Sequence, residues 1–349
     1  MRQRQASFGR RARAASLWGL ALFVGGQLGL GLLLDYRYPL TRFPSAEKVI
    51  SVAATEPRPP TVAFFGSSRT GAAVDTARAN RLLATESGRS PPPRVVNLAV
   101  PCGDPIAIEF VLDHALAAGV RPAWAVVEVS PETLNYRTPW VRYHVARQFT
   151  WAEVPAFAEM AWETRSVGAL WTSRLVPGYV HRHEIVRQAK LVAEARLPAA
   201  AGRHAWGGLN WQDVIRPPDR LPDEKLLELS RATAWMTIRR WVTPYRIDGP
   251  EAAALERILG RCRGEEIGIV LLGIPACSAT RAEFTPAIEA EYRGYLDRLS
   301  REYGCRFVDA GDWVPDRLFA DADHVRIPDG AAGFTDRLTR EVLLKLPLE

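Results

Sequence analysis

Several patterns that mark cofactor and metal sites do not occur in this sequence. It contains neither a phosphate-binding loop nor the glycine pattern of dinucleotide-binding folds. Its four cysteines include no pair with zinc-site spacing. His181 and His183 are two residues apart, so their side chains diverge on a helix, and we interpret them as surface residues rather than metal ligands. The sequence therefore predicts no metal ion and no cofactor.

Acidic residues are missing from the first 34 positions, and this accounts for most of the positive charge. The formal net charge is +6. The five arginines before residue 14 supply +5, which leaves about +1 (6 − 5) for everything after them. These arginines are Arg2, Arg4, Arg10, Arg11 and Arg13. The remaining chain has no excess of basic residues of the kind that binds nucleic acid, so we expect no nucleic-acid partner.

An apolar run follows the arginines. Residues 17–34 contain no charge, and Gln27 is their one clearly polar side chain. Eighteen such residues are close to the minimum for a membrane-spanning helix. Arginines on the amino-terminal side predict that residues 1–16 form a cytoplasmic tail. We therefore predict a single-pass anchor in the cytoplasmic membrane, with the rest of the chain on the extracytoplasmic, periplasmic side.

A cleaved signal peptide is the alternative interpretation of this run. No small-x-small cleavage site follows it, because the next residues, LLLDYRYPL, are bulky. Tyr36, Tyr38 and Phe43 instead suit the aromatic belt at a membrane surface. Outside the cytoplasm cysteines can pair. Since Cys262 and Cys305 each precede a predicted strand, we predict that they form a disulfide and that Cys102 and Cys277 are unbridged.

Short apolar runs alternate with helical patterns after a linker at 35–60. The runs predict strands at 61–65, 94–99, 124–129, 267–274 and 306–309. Strands separated by helices form parallel sheets that are covered on both faces. The sequence therefore predicts an α/β fold, a three-layer α/β/α sandwich with a five-stranded parallel sheet of flavodoxin-like kind over residues 61–349.

Residues 137–245 interrupt this alternation. They contain no clear strand pattern, several helical ones, and eight of the eleven tryptophans. A tryptophan-rich segment can line a binding groove or rest on a membrane surface. Packing of an inserted helical subdomain against the sheet explains the same residues more simply, and we favour it.

The stretch 61–71, TVAFFGSSRTG, carries the first candidate site residue. A buried strand ends at Gly66, and a helical pattern begins at about Ala72. Ser68 should therefore lie at the carboxyl edge of the sheet, where open α/β folds bind ligands. Backbone N–H groups at the start of the helix can stabilise negative charge there. Alternatively, the serines only cap the helix.

A second candidate lies near the carboxyl terminus, where Asp321 precedes His324 by three residues. A carboxylate at this spacing can accept a hydrogen bond from histidine Nδ1 and leave Nε2 able to take a proton from a serine. The pattern is common by itself. We expect it to meet Ser68 because the loops that follow parallel strands share one edge of the sheet.

These segments resemble the blocks of the SGNH (GDSL-like) hydrolase superfamily. GSSRT at 66–70 is similar to its first block, with Ser68 in the nucleophile position. VVNLAVPCGDP at 95–105 is similar to its second block, and DADH at 321–324 to its last. The resemblance implies a triad of Ser68, Asp321 and His324.

The resemblance further implies an oxyanion hole formed by backbone N–H groups of Ser68 and Gly103, with Cys102 as an alternative donor. Arg69 and Asn97, in the first two blocks, are the implied substrate contacts. The third block of the family should supply an asparagine after strand three, but SPET occurs here at 130–133. Asn135 is the nearest replacement. Losing one oxyanion donor typically costs about 2.7–4 kcal/mol of transition-state stabilisation.

The resemblance implies a membrane-anchored serine esterase or O-acyltransferase that acts on acyl or acetyl esters of an envelope glycan or glycolipid. A membrane acyltransferase is an expected partner. The alternative, which the missing asparagine favours, is a non-catalytic SGNH-like subunit that binds a glycan or assembles an envelope acylation system.

Overall fold

The structure is a computed structural model that describes residues 2–55, 61–136, 148–163, 165–195, 211 and 223–347. The chain divides into two compact units. One combines residues 1–44 with 141–205, and the other combines residues 45–140 with 206–349. We call them the anchor unit and the sheet unit.

Helices make up most of both units. Numbered along the chain, they are α1 (Arg2–Tyr36), α2 (Pro44–Thr55), α3 (Ser68–Ala73), α4 (Thr76–Glu86), α5 (Pro105–Ala117), α6 (Pro131–Leu134), α7 (Val154–Glu163), α8 (Val167–Leu175), α9 (Pro177–Val180), α10 (Arg182–Ala195), α11 (Asp223–Thr233), α12 (Arg239–Trp241), α13 (Pro250–Gly264), α14 (Ser278–Arg281), α15 (Pro286–Tyr303) and α16 (Asp329–Glu341). Single 3₁₀ turns occur at Pro39–Arg42, Asp316–Leu318 and Leu343–Lys345, and a π-helical turn at Ala234–Ile238 joins α11 to α12.

Five strands form one parallel sheet in the sheet unit. They are β1 (Val62–Phe65), β2 (Val95–Asn97), β3 (Trp124–Val129), β4 (Gly268–Gly273) and β5 (Arg306–Asp309), and their spatial order is β2-β1-β3-β4-β5. In the register, Val62 pairs with Val95 on one side and with Trp124 on the other. The predicted α/β fold with five parallel strands is confirmed.

Helices lie on both faces of this sheet. The chain steps outward from β1 to β2 and then back across β1 to β3, and right-handed crossovers in opposite directions put their helices on opposite faces. Accordingly α4 packs against α16, while α13 packs against α5 and α15. On the first face the core includes Phe64, Val126, Leu272, Phe334 and Leu338. The sandwich has the predicted three layers, and all five strands end at the same edge.

The predicted linker at 35–60 contains regular structure. Residues 44–55 form α2, and its buried residues Ala46, Val49, Ile50 and Ala53 recur at helical spacing along one side. In the inserted segment, the described residues between 148 and 245 are helical or irregular and contain no strand. Of the two histidines expected at the surface, His183 is exposed, whereas His181 is buried.

The anchor unit is organised around α1. One apolar stretch of this helix, Arg11–Tyr36, is long and apolar enough to cross a membrane, and most of it is exposed. At its end the carboxylate of Asp35 accepts hydrogen bonds from Arg174 Nη1 at 2.8 and 2.9 Å. Arg42 Nη1 lies 2.9 Å from the same carboxylate. All three side chains are buried, so this ion cluster ties the end of α1 to α8 and to the 3₁₀ turn that follows α1.

All four cysteines lie in the described part of the chain, and none is in a disulfide. The predicted Cys262–Cys305 bridge is therefore wrong. Cys262 lies inside the last turns of α13 rather than next to β4, and it packs in the core. Burial raises the pKa of its thiol to about 12.

Candidate active site

The chain turns sharply between β1 and α3, and glycine is required there by close packing. A Cβ on Gly66 would lie 2.4 Å from Thr70 Oγ1 and 2.5 Å from Glu128 Oε2. The Oγ atom of Ser67 accepts a hydrogen bond from the N–H of Arg69 at 3.0 Å and so caps α3. The helix begins at Ser68, four residues earlier than the pattern predicts. Ser67 therefore caps the helix, and Ser68 occupies its first turn at the carboxyl edge of the sheet.

Ser68, His324 and Asp321 form a continuous hydrogen-bonded chain. Ser68 Oγ lies 2.8 Å from His324 Nε2. On the other side of the ring, His324 Nδ1 lies 2.9 Å from Asp321 Oδ2 and 3.0 Å from Oδ1. With the proton on Nδ1, the imidazole donates to Asp321 and accepts from Ser68. The predicted convergence of these three side chains is confirmed.

The loop that carries Asp321 and His324 is held by its own backbone. The N–H groups of Asp323 and His324 both donate to Asp321 Oδ1 at 2.8 Å. The N–H of Ala320 donates to the carbonyl of His324 at 2.8 Å, and Phe319 and Val325 form a β-bridge. These bonds fix the carboxylate relative to the ring, because they tie both residues to one tight loop.

The two aspartates of this loop differ in their electrostatics. Burial disfavours the charged form of Asp321, but hydrogen bonds from His324 and from the two backbone N–H groups outweigh it, and its pKa is lowered. The pKa of Asp323 is raised by burial, which the nearby guanidinium of Arg69 offsets only in part. Asp321 is thus the carboxylate that stays ionised beside His324.

The buried carboxylate of Glu128 holds the turn at Ser68 through hydrogen bonds. Glu128, in β3, accepts hydrogen bonds from the N–H of Ser67 at 2.7 Å, from Ser67 Oγ at 2.8 Å and from Thr70 Oγ1 at 2.6 Å. Arg69 Nη2 lies 3.0 Å from the same carboxylate. Glu128 therefore contacts the residues on both sides of Ser68 and holds the turn in position.

Arg69 has a different place from the predicted one. Its side chain, expected to contact substrate, is 5% exposed and lies between Glu128 and Glu132, with ion pairs to both. Arg69 Nη2 also donates to Ser130 Oγ at 2.9 Å. These partners compensate the Arg69 guanidinium for the loss of its hydration, and they hold it in a buried position.

The predicted oxyanion donors separate into two groups. The N–H of Ser68, at the first position of α3, has no acceptor among the residues that the structure describes. The N–H of Gly103 donates to the carbonyl of Val100 at 3.0 Å, so it is engaged in a turn and is not available as predicted. Cys102 lies in the same turn with a left-handed φ of 55°, half-buried. Its role as a donor stays a prediction.

Asn135 and Asn97 both have structural roles. Asn135 Nδ2 donates to the carbonyls of Trp241 at 2.6 Å and Pro244 at 3.0 Å, and its Oδ1 accepts from the N–H of Arg246 at 2.9 Å. It is 1% exposed and therefore does not replace the missing oxyanion asparagine. Asn97 Oδ1 accepts from the N–H of Ala99 at 3.0 Å, which shapes the end of β2. Its Nδ2 donates to the carbonyl of Thr70 at 3.4 Å. The substrate contact of Asn97 stays a prediction.

Glu128 and Glu132 are the site residues that sequence reasoning missed. One signal was present: Glu128 is a charged residue inside the apolar run WAVVEV, and a charge buried in a parallel sheet requires a partner. Arg69, also next to an apolar run, was the available cation. The residues that the structure describes contain no group of three or more histidine, cysteine, aspartate or glutamate side chains arranged to hold a metal ion.

We compared the chain with known protein families and curated proteins. No protein-family model matches the chain, and no curated protein matches it.

Proposed function

We propose that this protein is a membrane-anchored serine esterase or O-acyltransferase of SGNH-like type, acting on acyl esters of an extracytoplasmic glycan or glycolipid. The observation that carries the proposal is the hydrogen-bonded chain from Ser68 Oγ through His324 to Asp321 at the carboxyl edge of a parallel sheet. A serine, a histidine and a carboxylate in this arrangement supply a nucleophile, a general base and an orienting group.

In the first half of the reaction, Ser68 Oγ attacks the carbonyl carbon of the ester. The proton of the hydroxyl passes to His324 Nε2 as the new carbon–oxygen bond forms. Asp321 stabilises the resulting imidazolium through Nδ1–H. The N–H of Ser68 points from the start of α3 and stabilises the negative charge on the carbonyl oxygen, which the partial positive charge at the start of a helix also favours.

The intermediate then collapses. The bond to the leaving alcohol breaks, and that oxygen takes the proton from His324, which leaves an acyl group on Ser68. In the second half, a water or a sugar hydroxyl gives its proton to His324 Nε2 as its oxygen bonds to the acyl carbon. The bond between that carbon and Ser68 Oγ then breaks, and Ser68 Oγ takes the proton back from His324. Water gives hydrolysis and a sugar hydroxyl gives acyl transfer, so the two activities share one set of residues.

The anchoring part of the proposal is supported by α1. Its apolar stretch is long and apolar enough to span a bilayer. The arginines that precede it favour an orientation with the sheet unit outside the cytoplasm. A bilayer-spanning helix would keep the sheet unit close to membrane-linked glycans, glycolipids or a membrane acyltransferase.

A second candidate function is a non-catalytic subunit that binds a glycan or assembles an acylation system. One observation favours it: the N–H of Gly103 and the amide of Asn135 are both engaged elsewhere. An oxyanion hole with fewer donors lowers the reaction rate, and a typical cost is about 10²–10³-fold in kcat per donor.

The experiment that separates the two is labelling of the full-length protein in detergent with a fluorophosphonate probe. We expect stoichiometric labelling of Ser68 and turnover of p-nitrophenyl acetate. Ser68→Ala should abolish labelling and lower turnover at least about 10³-fold. Ser278→Ala, an exposed serine at the start of α14, is the matched control and should behave as wild type. Equal turnover by Ser68→Ala and wild type would favour the binding subunit.

A further inference from the structure

A cavity of about 430 Å³ opens at the carboxyl ends of β3, β4 and β5, at the same edge of the sheet as Ser68. The residues that line it include Arg69, Glu132, Phe284, Tyr292 and Gly311. The volume falls in the range of small-molecule sites, and this edge is where open α/β sheets bind ligands.

Two buried polar atoms of lining residues have no hydrogen-bond partner among the residues that the structure describes. Glu132 Oε1 accepts from Arg69, but Glu132 Oε2 has no hydrogen-bond partner among the described residues, although the residue is only 1% exposed. The hydroxyl of Tyr292, 8% exposed, likewise has no partner there. Burying an unsatisfied carboxylate oxygen and a phenol hydroxyl is costly, so such atoms are expected to meet a ligand or water.

The charges around the cavity select the kind of ligand. The cations Arg69 and Arg293 are paired with Glu132 and Asp309, and Arg281 donates to the carbonyls of Ala276 and Gly311. Glu289 and Asp312 also line the cavity, so its four carboxylates outnumber its three guanidinium groups and the lining disfavours an anion. It offers an acceptor at Glu132 Oε2, a hydroxyl that can donate or accept at Tyr292, and an apolar ring at Phe284.

We propose that this cavity binds a neutral, hydroxyl-bearing unit of the substrate, such as a sugar ring, with Glu132 and Tyr292 as its hydrogen-bonding residues. A sugar hydroxyl donates to the carboxylate oxygen, a second one pairs with the phenol, and the ring packs on Phe284. Arg69, which lines the cavity, directly follows the nucleophile Ser68 in the chain. The inference rests on the proposed function, since it assigns the alcohol part of the ester to this cavity.

The first test compares two acetyl esters on the full-length protein. 6-O-acetyl-D-glucose carries free hydroxyls, and p-nitrophenyl acetate carries none. Tyr292→Phe should raise KM for the sugar ester about 2- to 12-fold, the effect of one lost hydrogen bond, and should change KM for p-nitrophenyl acetate less. Tyr303→Phe, on the same helix but outside the cavity, should change neither. Equal changes for both esters, or no change for the sugar ester, would overturn the proposal.

A binding measurement separates this proposal from the proposed chemistry. Saturation-transfer NMR of D-glucose with the Ser68→Ala protein needs no turnover. We expect saturation transfer to the sugar protons. Adding Tyr292→Phe to the Ser68→Ala protein should weaken this transfer, and adding Tyr303→Phe should not. If both esters fail to react but this pattern holds, the proposed reaction is wrong and the site stands. If the esters react and no transfer occurs in any variant, the sugar site is wrong and the reaction stands.

A separate observation in the anchor unit concerns α8 and α9, which pack against α1 within its apolar stretch. The N–H of Gly178 donates to Gln27 Oε1 at 3.0 Å, and a Cβ on Gly31 would lie 3.6 Å from Pro177 Cγ. Gln27 lies seven residues before Leu34, the last residue of the run, which is about 10 Å along a helix. If α1 spans a bilayer, this contact lies below the membrane surface.

The composition of the segment 166–180 fits that depth. Its only charged residue is Arg174, which is buried and paired with Asp35. Trp171, Leu175 and Tyr179 recur every four residues and are 43%, 54% and 65% exposed. The apolar surface of α1 thus continues onto a second exposed apolar surface, which ends at Tyr179, where the guanidinium of Arg182 stacks on the ring at 4.4 Å.

From this continuity we infer that α8 and α9 dock into the outer leaflet of the membrane, with Trp171, Leu175 and Tyr179 in contact with lipid. The inference rests on the proposal that α1 spans the membrane. Three helices, α1, α8 and α9, then contact the membrane instead of α1 alone. The exposed aromatic and aliphatic side chains of α8 and α9 gain apolar surroundings that they lack in water.

Nitroxide labels test this in vesicles of phosphatidylethanolamine and phosphatidylglycerol. Labels are attached to Leu175→Cys, Tyr179→Cys, Leu22→Cys on α1 and Ala193→Cys on α10, each in a Cys102→Ser background because the other cysteines are buried. We expect positions 22, 175 and 179 to be more accessible to oxygen than to a water-soluble nickel chelate, and position 193 to show the reverse. An aqueous signal at 22 would refute the span. A lipid signal at 22 with aqueous signals at 175 and 179 would refute the docking.

Discussion

Ser68 Oγ and His324 Nε2 lie 2.8 Å apart although 256 residues separate them in the chain. The serine follows the first strand, and the histidine follows the last. Parallel strands end at the same edge of the sheet, but β5 is three positions away from β1. The two side chains meet because residues 310–324 return from the end of β5 to the end of β1.

The two aspartates of the 321–324 loop provide a matched pair of variants. Asp321→Asn should lower kcat for p-nitrophenyl acetate about 10⁴-fold, because an amide favours the wrong tautomer of His324. Asp323→Asn should be mild, since the hydrogen bonds to the ring of His324 come from Asp321 and not from this side chain. Steady-state kinetics of both variants measure the difference. Equal losses would count against Asp321 as the orienting residue.

Glu128→Gln should lower kcat by about 10²-fold with little change in KM. The amide keeps the shape of the carboxylate but cannot accept all the hydrogen bonds from Ser67 and Thr70, so the turn that holds Ser68 shifts. Kinetics below the unfolding temperature of the variant separate positioning from stability. Glu109→Gln, which breaks an ion pair with Arg257 at the surface, is the control. An unchanged kcat in Glu128→Gln would remove the positioning role.

Glu251 should make the protein less stable as pH rises. Its carboxyl, in the first turn of α13, is fully buried near Asp104, and both of its oxygens lack partners among the described residues. Burial raises its folded-state pKa well above the ordinary value, and Asp104 adds to the shift. The stability that the protonated carboxyl contributes is complete below the unfolded pKa of about 4.3 and is lost as pH rises above it.

Glu251→Gln removes this titration. The variant should match wild type in Tm near pH 4 and exceed it increasingly toward pH 8. Thermal unfolding across that range is the measurement, and parallel curves for the two proteins would contradict it.

The ion cluster at the end of α1 should be essential to the anchor unit. Asp35→Asn removes the carboxylate that pairs with two buried guanidinium groups, those of Arg42 and Arg174. Breaking a buried ion pair in this way typically costs about 3–5 kcal/mol. We expect α8–α10 to become sensitive to protease in detergent at temperatures where wild type resists. Asp297→Asn, at the exposed surface of α15, is the control. Equal protease resistance of Asp35→Asn and wild type would be the contrary result.

The orientation of the anchor is also testable. Protease added to spheroplasts should degrade the sheet unit, and an amino-terminal tag on Met1 should stay protected inside. The physical reason is that the arginines before residue 14 favour the cytoplasmic side of the membrane for the amino terminus. Protection of the sheet unit, or a mature amino terminus beyond residue 35, would show the orientation or the uncleaved anchor to be wrong.

The sequence alone determined the sheet and the convergence at its edge. Runs such as 124–129 and 306–309 have the length and composition of buried parallel strands, and both match the observed bounds. Because the apolar pattern of a strand is a local feature of the sequence, strand positions can be predicted from it without tertiary information. The meeting of Ser68, Asp321 and His324 followed from a general property of parallel sheets, the shared edge at which their strands end.

Only the tertiary structure decided what lies around these three side chains. Ser67 and Glu128 are 61 residues apart, and Asn135 and Trp241 are 106 apart. Such pairings depend on where strands and loops lie in space, which local patterns do not encode. The resemblance implied that Arg69 contacts substrate, yet its side chain is buried because two glutamates from β3 and α6 meet it there. A charge is buried only where its partners are, and those partners are set by the fold as a whole.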